Sequence, residues 1–395
     1  MSFLKTRHCL VATLCMFSPL FCVAQKAAVI NEVSYLSFEV PGALGTYPMS
    51  INASMAVTGY YYVSSTETRG FLRNQDGTIT TFSVRDGVWT EPESINAAGD
   101  ITGYYEDFPA QSTGFQGGLP HGFIRYADGR TVTFNGPTSG EAGSQAQPIS
   151  INDWGEVVGN YPFPNYAAVV FVRSAGGSFI FNFDLALGAA NATVATGFND
   201  GGTIIGYVEP GGSYRYGYTV DLRGIHDDVF DKFDVPVGGV QNEVTTPESI
   251  NDVGAIAGWY NFFKTCLGCA ATFGAGGFVR SPQGVFTLFN PPGTLVTLPQ
   301  TGLWEESTTA SSLSLSAPHR LSINHAGTIT GSYLDVEGAQ HGFVRNPYGT
   351  ITSFDPPRGR QTTATGINDS GVITGSYYYD WNNQIAEGFL RVPQP

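Results

Sequence analysis

The chain has 395 residues, 42% of them hydrophobic and only 13% charged, so it has the material for a large core and a sparsely charged surface. Acids outnumber bases 33 to 19, for a formal net charge of −14. Such a surface repels nucleic acid and anionic membranes, and neither is expected as a partner.

The first 24 residues stand apart. Lys5 and Arg7 precede a mostly apolar run from Cys9 to Val23, and Cys22-Val23-Ala24 ends in a small residue before Gln25. This is the pattern of a secretory signal peptide (1–24) cut near Ala24. The run is short for a membrane span and no later stretch reaches that length. The expected product is a single domain, 25–395, secreted or periplasmic and without membrane insertion. Two cysteines remain in it, Cys266 and Cys269. No second ligand pair lies nearby for a metal, and no thioredoxin-like context surrounds them, so a small loop disulfide is the expectation. No metal or other cofactor is expected.

From there the chain repeats itself. Tyr35-Leu36-Ser37-Phe38-Glu39-Val40-Pro41-Gly42 comes first and has the pattern of a strand stopped by proline. Then Ile-Asn-x-x-Gly-x-Ile-x-Gly-x-Tyr, or a close variant, recurs with its Asn at Asn52, Asn96, Asn152, Asn199, Asn251, Asn324 and Asn368. The units begin near 50, 94, 150, 197, 249, 322 and 366. In each, a β-branched residue, a Gly and usually a Tyr follow the Asn by five, seven and nine positions (Val57, Gly59 and Tyr61 in the first), which puts them on one face of a strand. Gly at the centre of that face predicts close approach by a neighbour. Asn-Asp-x-Gly is turn chemistry. A third strand carries Gly-Phe-x-Arg, as at Phe71/Arg73, Phe123/Arg125 and Phe343/Arg345; the fourth unit departs, with Tyr218 and Val220. The repeated Arg is expected to pair within or between units. A fourth strand ends in Phe82, Phe134, Phe183, Phe233, Phe289 or Phe354.

The seventh unit stops at Phe389-Leu390-Arg391, one strand short. The segment around Phe38 has the pattern of the missing strand. A first strand that completes the last unit closes a ring and removes exposed sheet edges. The fold class is therefore all-β: a seven-bladed β-propeller of four-stranded antiparallel blades, closed by the N-terminal strand.

Gly-Ile-Asn-Asp-Ser-Gly-Val-Ile-Thr-Gly-Ser (366–376) and His341-Gly342-Phe343 with its following turn resemble the repeats of the bacterial extracellular HAF family. Gly here replaces that family's Ala, and Arg or Leu-Arg its Leu-Trp. The resemblance implies export and a propeller-like repeat fold, and it brings no chemistry to any residue.

No motif specifies an activity. Alternating strand direction puts the tight turns on one face and the longer connections on the other, at 106–121, 139–148, 261–276 and 291–320. Variable loops on a rigid scaffold are where ligand contacts usually lie. Carboxylates including Glu91, Glu93, Glu248, Glu305 and Asp380 are read as loop residues there, with Trp89, Trp304, Trp381 and Tyr62. Rings beside acids suit a sugar. Ligand-binding candidates are Trp89, Trp304, Trp381, Tyr62, Glu91, Glu305 and Asp380. His121 and His341 share one position before Gly-Phe, which argues for a structural role. The leading expectation is an exported, non-catalytic propeller that binds a polysaccharide or another exported protein through its long-loop face. The alternatives are a carboxylate-dependent glycosidase or polysaccharide lyase, and a structural envelope protein without a small ligand.

Overall fold

The structure is a computed structural model that describes residues 33–85, 89–106, 119–137, 145–162, 168–183, 192–210, 214–223, 230–237, 241–264, 272–294, 297–299, 319–378 and 385–394. These residues form seven antiparallel sheets, one per repeat, arranged as the blades of a β-propeller. The first strand of each blade lies innermost and ends just before the repeated Asn. The inner strands are Thr46–Ile51, Trp89–Ile95, Gln147–Ile151, Ala192–Phe198, Gln241–Ile250, His319–Ile323 and Arg360–Ile367, for blades 1 to 7. Each blade then steps outward strand by strand to the one that ends in Phe.

The ring closes as the sequence predicts. Val33–Phe38 pairs antiparallel with Ala386–Pro393 and is the outer strand of blade 7, with Ser37 opposite Phe389 and Phe38 opposite Gly388. Two connections differ from expectation. Most of 261–276 is strand, since Ile256–Lys264 pairs with Thr272–Arg280 in an extended hairpin. Part of 291–320 adds a fifth strand to blade 5, Thr297–Pro299 against Thr272–Gly274.

The apolar core is divided among the seams between blades. One cluster joins Phe354 of blade 6 to Ile373 and Phe389 of blade 7; another joins Leu390 of blade 7 to Val57 and Phe71 of blade 1. The Phe of each Gly-Phe-x-Arg word is fully buried, and each contributes about 2–3 kcal/mol of burial. The Arg of that word binds across the seam. Arg73, Arg125, Arg173, Arg280, Arg345 and Arg391 lie 4.7–5.3 Å from the ring centres of Phe38, Phe82, Phe134, Phe233, Phe289 and Phe354, each on the preceding blade. Five of these arginines have a buried Nε without a hydrogen-bond acceptor, and the ring face stands in for one. The seam between blades 3 and 4 has Val220 at the Arg position and closes through an apolar cluster instead. Among the described residues, no helix is long and apolar enough to cross a membrane.

Candidate functional site

The site begins with the Gly seven residues after each Asn. A Cβ on Gly59, Gly103, Gly206 or Gly375 would collide with the carbonyl oxygen of Tyr47, Glu91, Val194 or Thr363, five residues before the Asn on the inner strand. The missing side chain lets the inner strand fold in against its neighbour, and there it carries a β-bulge: the register slips between Pro48 and Ser50, Pro92 and Ser94, Pro148 and Ser150, and Pro247 and Ser249. The extra residue is Met49, Glu93, Ile149 or Glu248, and in blades 4 and 7 it is Thr196 or Thr365. Bulged side chains reach toward the next blade. Thr196 Oγ1 donates to Pro247 O at 2.7 Å, Thr365 Oγ1 donates to Pro48 O at 3.0 Å, and Glu248 Oε2 accepts from Leu321 N at 2.6 Å.

This construction gathers a polar cluster at the loop end of the axial channel. A cavity of about 270 Å³ is lined there by Tyr47, Met49, Tyr60, His319, Arg320, Gln340 and Tyr378, among others. Tyr47 and Tyr60 stack, with centroids 5.1 Å apart and planes 15° from parallel, and Tyr62 meets both edge-on. Burial raises all three hydroxyl pKa values, and the Glu91 carboxylate adds to the shift at Tyr60 and Tyr62. The Tyr104 hydroxyl donates to Glu91, and burial still holds the Glu91 carboxyl above its ordinary range. Glu93 is pushed up to about 8 by burial and then by the charge of Glu91, against the pull of Arg320. Burial lifts Glu248 to about 7, opposed by the Leu321 and Arg320 backbone N–H groups, by Trp259 Nε1 at 3.2 Å and by the charge of Arg320. Near neutral pH Glu93 and Glu248 thus hold a proton for much of the time, beside the phenols and the Arg320 guanidinium.

The opposite end is built from the repeats themselves. Each Asn closes its own turn through Oδ1, as Asn52 does toward Ser54 N and Ala56 N. Its Nδ2 then donates to the Asn carbonyl of the next blade at 2.9–3.1 Å, from Asn52, Asn96, Asn199, Asn251, Asn324 and Asn368. The amide of Asn152 turns to Glu156 instead. The carboxylates of Asp153, Asp200, Asp252 and Asp369 accept from backbone N–H groups of the preceding blade. A cavity of about 220 Å³ opens among these groups. They serve ring closure as well as the turn chemistry that the sequence predicts. Among the described residues, no three His, Cys, Asp or Glu gather to hold a metal ion.

Of the candidates read from the sequence, the structure brings Tyr62 and Glu91 into the loop-end cluster. Trp89 heads the same strand as Glu91, half-buried and opposite Glu106. Trp304, Glu305, Asp380, Trp381, Cys266 and Cys269 lie outside the described residues. Glu91, Glu93 and Glu248, read as loop acids, stand on inner strands. Tyr47, Tyr60, Tyr104 and Arg320 belong to the same cluster, and the sequence reading did not select them. His121 and His341 pack on Tyr105 and Tyr333; His121 Nδ1 lies 2.6 Å from Asn135 Oδ1, and His341 lies between Asp355 and Asp335. Both fit a structural role.

No family model matches the sequence, and no curated protein matches it significantly. Solved structures do. A polysaccharide lyase, Uly1, is similar with a TM-score of 0.51 at 9% identity, over 90% of each chain. An ulvan lyase of polysaccharide lyase family 25 is similar with a TM-score of 0.47 at 12% identity, over 86% of this chain and 93% of that one. A prolyl endopeptidase is similar with a TM-score of 0.48 at 10% identity, and there the match spans only 47% of the longer chain. At such identities the likeness is one of fold: the chain is a seven-bladed β-propeller.

Proposed function

We propose that this chain is a carbohydrate-binding propeller whose ligand enters the loop end of the axial channel. The observation that carries the reading is the Tyr47–Tyr60 stack, edged by Tyr62, on the wall of a polar cavity. Flat rings take the apolar face of a sugar, and Arg320, Gln340 and Tyr378 offer hydrogen bonds to its hydroxyls. Uly1, a polysaccharide lyase with this fold, supports a sugar ligand. The signal-like residues 1–24 support export, and the HAF-like words agree with an extracellular repeat protein. The test is a glycan array with purified 25–395 and its Tyr47→Ala and Tyr60→Ala variants. Binding that falls at least tenfold in both is expected. No binding to any glycan, or binding indifferent to both changes, removes the reading.

A second reading, cleavage of the bound polysaccharide, is favoured by Glu93. A carboxyl that keeps its proton to about pH 8 is a candidate general acid. Release of oligosaccharide products, abolished in Glu93→Gln, would select it over simple binding.

A further inference from the structure

Arg320 is the one inner-strand residue of blade 6 with left-handed backbone, at φ 54. An L-residue with a long side chain adopts that conformation at a cost, and such strain persists where surrounding contacts enforce it. Here the contacts come from the neighbouring blade. The Glu248 carboxyl receives the backbone N–H groups of Arg320 and Leu321, the latter at 2.6 Å, and is itself fixed by Trp259 Nε1 at 3.2 Å. Pinned this way, the Arg320 side chain extends across the channel mouth, past blade 7, until its guanidinium lies 3.8 Å from Met49 Sδ on blade 1. It is exposed, and it makes no ion pair among the described residues. A guanidinium held over a channel with one arm on a thioether, and without an ion pair among the described residues, has the form of a receptor for an oxyanion.

We infer that Arg320, positioned by Glu248, is the recognition group for an anionic sugar unit, a uronate carboxylate or a sulfate, bound against the Tyr47–Tyr60 stack. The inference rests on the carbohydrate reading above and narrows it to acidic polysaccharides. The surrounding charges are compatible with it. Glu93, Glu91, Glu248, Tyr47, Tyr60, Tyr378 and His319 are titratable groups around Arg320, and burial disfavours the ionised form of Glu93, Glu91, Glu248, Tyr47 and Tyr60. An approaching anion therefore meets the Arg320 guanidinium among carboxyls that burial biases toward their neutral forms, although the chain as a whole is acidic.

The experiment is calorimetric titration at pH 6.5 with three probes: tetragalacturonate, its fully methyl-esterified form, and a sulfated galactan tetrasaccharide. The expected result is an affinity at least tenfold higher for one anionic probe than for the neutral ester, reduced by added salt. In Arg320→Gln the affinities for charged and neutral forms should converge. Arg320→Lys should keep part of the preference, because it keeps the charge without the fork. Glu248→Ala, whose near-ultraviolet circular dichroism would verify the fold, should lose the preference as well by releasing the Arg320 backbone. The two anionic probes separate a carboxylate from a sulfate ligand. Equal affinity for ester and acid, unchanged in Arg320→Gln, overturns the inference and leaves the carbohydrate reading standing. Absence of binding to every probe and on the glycan array overturns both.

Discussion

The two ends of the channel are made by the same seven strands and differ in kind. At the turn end the same residue stands in every blade, and its hydrogen-bonding groups are used up by its own turn and, in every blade but the third, by the next blade. At the loop end, three residues upstream of each Asn, the side chains are Met49, Glu93, Ile149, Thr196, Glu248, Leu321 and Thr365. Sevenfold identity marks a requirement of the blade turns and, at six seams of seven, of the closure between blades. Sevenfold difference marks positions where closure does not dictate one side chain, although Thr196, Thr365 and Glu248 each bond the next blade, and another demand is free to act. In a propeller, therefore, the residues that break the repeat are better site candidates than those that make it.

The sharpest way to break this comparison is at the turn end. Asn368→Ala removes both the closing turn of blade 7 and the 3.0 Å bond to Asn52 O that spans the two ends of the chain. It should lower the unfolding free energy in urea by about 2–4 kcal/mol, since it strands buried backbone groups. Glycan affinity of the folded protein should hold. Asn152→Ala is the internal control. It loses the bonds of its own turn but none to the next blade, so the cost should be smaller by about 1 kcal/mol. Equal costs at the two positions would mean that the inter-blade belt does not hold the ring.

The loop end should answer to pH instead. The Glu93 carboxyl is raised to about 8 in the folded chain, against an ordinary value near 4.5. The folded state therefore binds the proton more tightly than the unfolded state. The contribution of Glu93 is fully present below about pH 4.5 and is lost as pH rises through about 8. Glu93→Gln does not titrate. Between pH 5 and pH 9 the parent should lose stability relative to this variant by on the order of 1–3 kcal/mol. Parallel stability curves would show that Glu93 titrates as an exposed acid and take away the general-acid reading with it.

How much of this was legible in the sequence follows the same division. The repeated residues announced the blades, the turn after each Asn, a pairing role for the Arg within or between units, though not its Phe partner, and the pairing of Phe38 with the last unit. They did so because each physical demand is met locally and seven times over. The site was less legible. Glu93 and Glu248 follow Pro92 and Pro247, and proline beside an acid reads as loop; the bulge that admits them needs Gly103 and Gly258 on the next strand. A signal was present all the same. Aligned on the Asn, Pro48-Met49-Ser50, Pro92-Glu93-Ser94, Pro148-Ile149-Ser150 and Pro247-Glu248-Ser249 show one variable residue between two fixed ones. Arg320 had no local signal, because its backbone is set by Glu248, a blade away; Glu248 binds Leu321 73 residues downstream.

The finest test of the comparison moves a residue from one blade's bulge to another's. Met49 occupies in blade 1 the position that Glu93 holds in blade 2, and it touches the Arg320 guanidinium. Met49→Glu would place a carboxylate against that guanidinium. The new ion pair offsets much of the cost of the half-buried charge, so stability should change by less than about 1 kcal/mol. Binding is where the change should appear. With its fork already occupied, Arg320 has nothing left for an external anion, and affinity for the anionic probe should fall to that of its neutral ester. A variant that folds like the parent and still prefers the acid would separate Arg320 from recognition. A variant that unfolds would mean that the loop-end bulges belong to the ring after all.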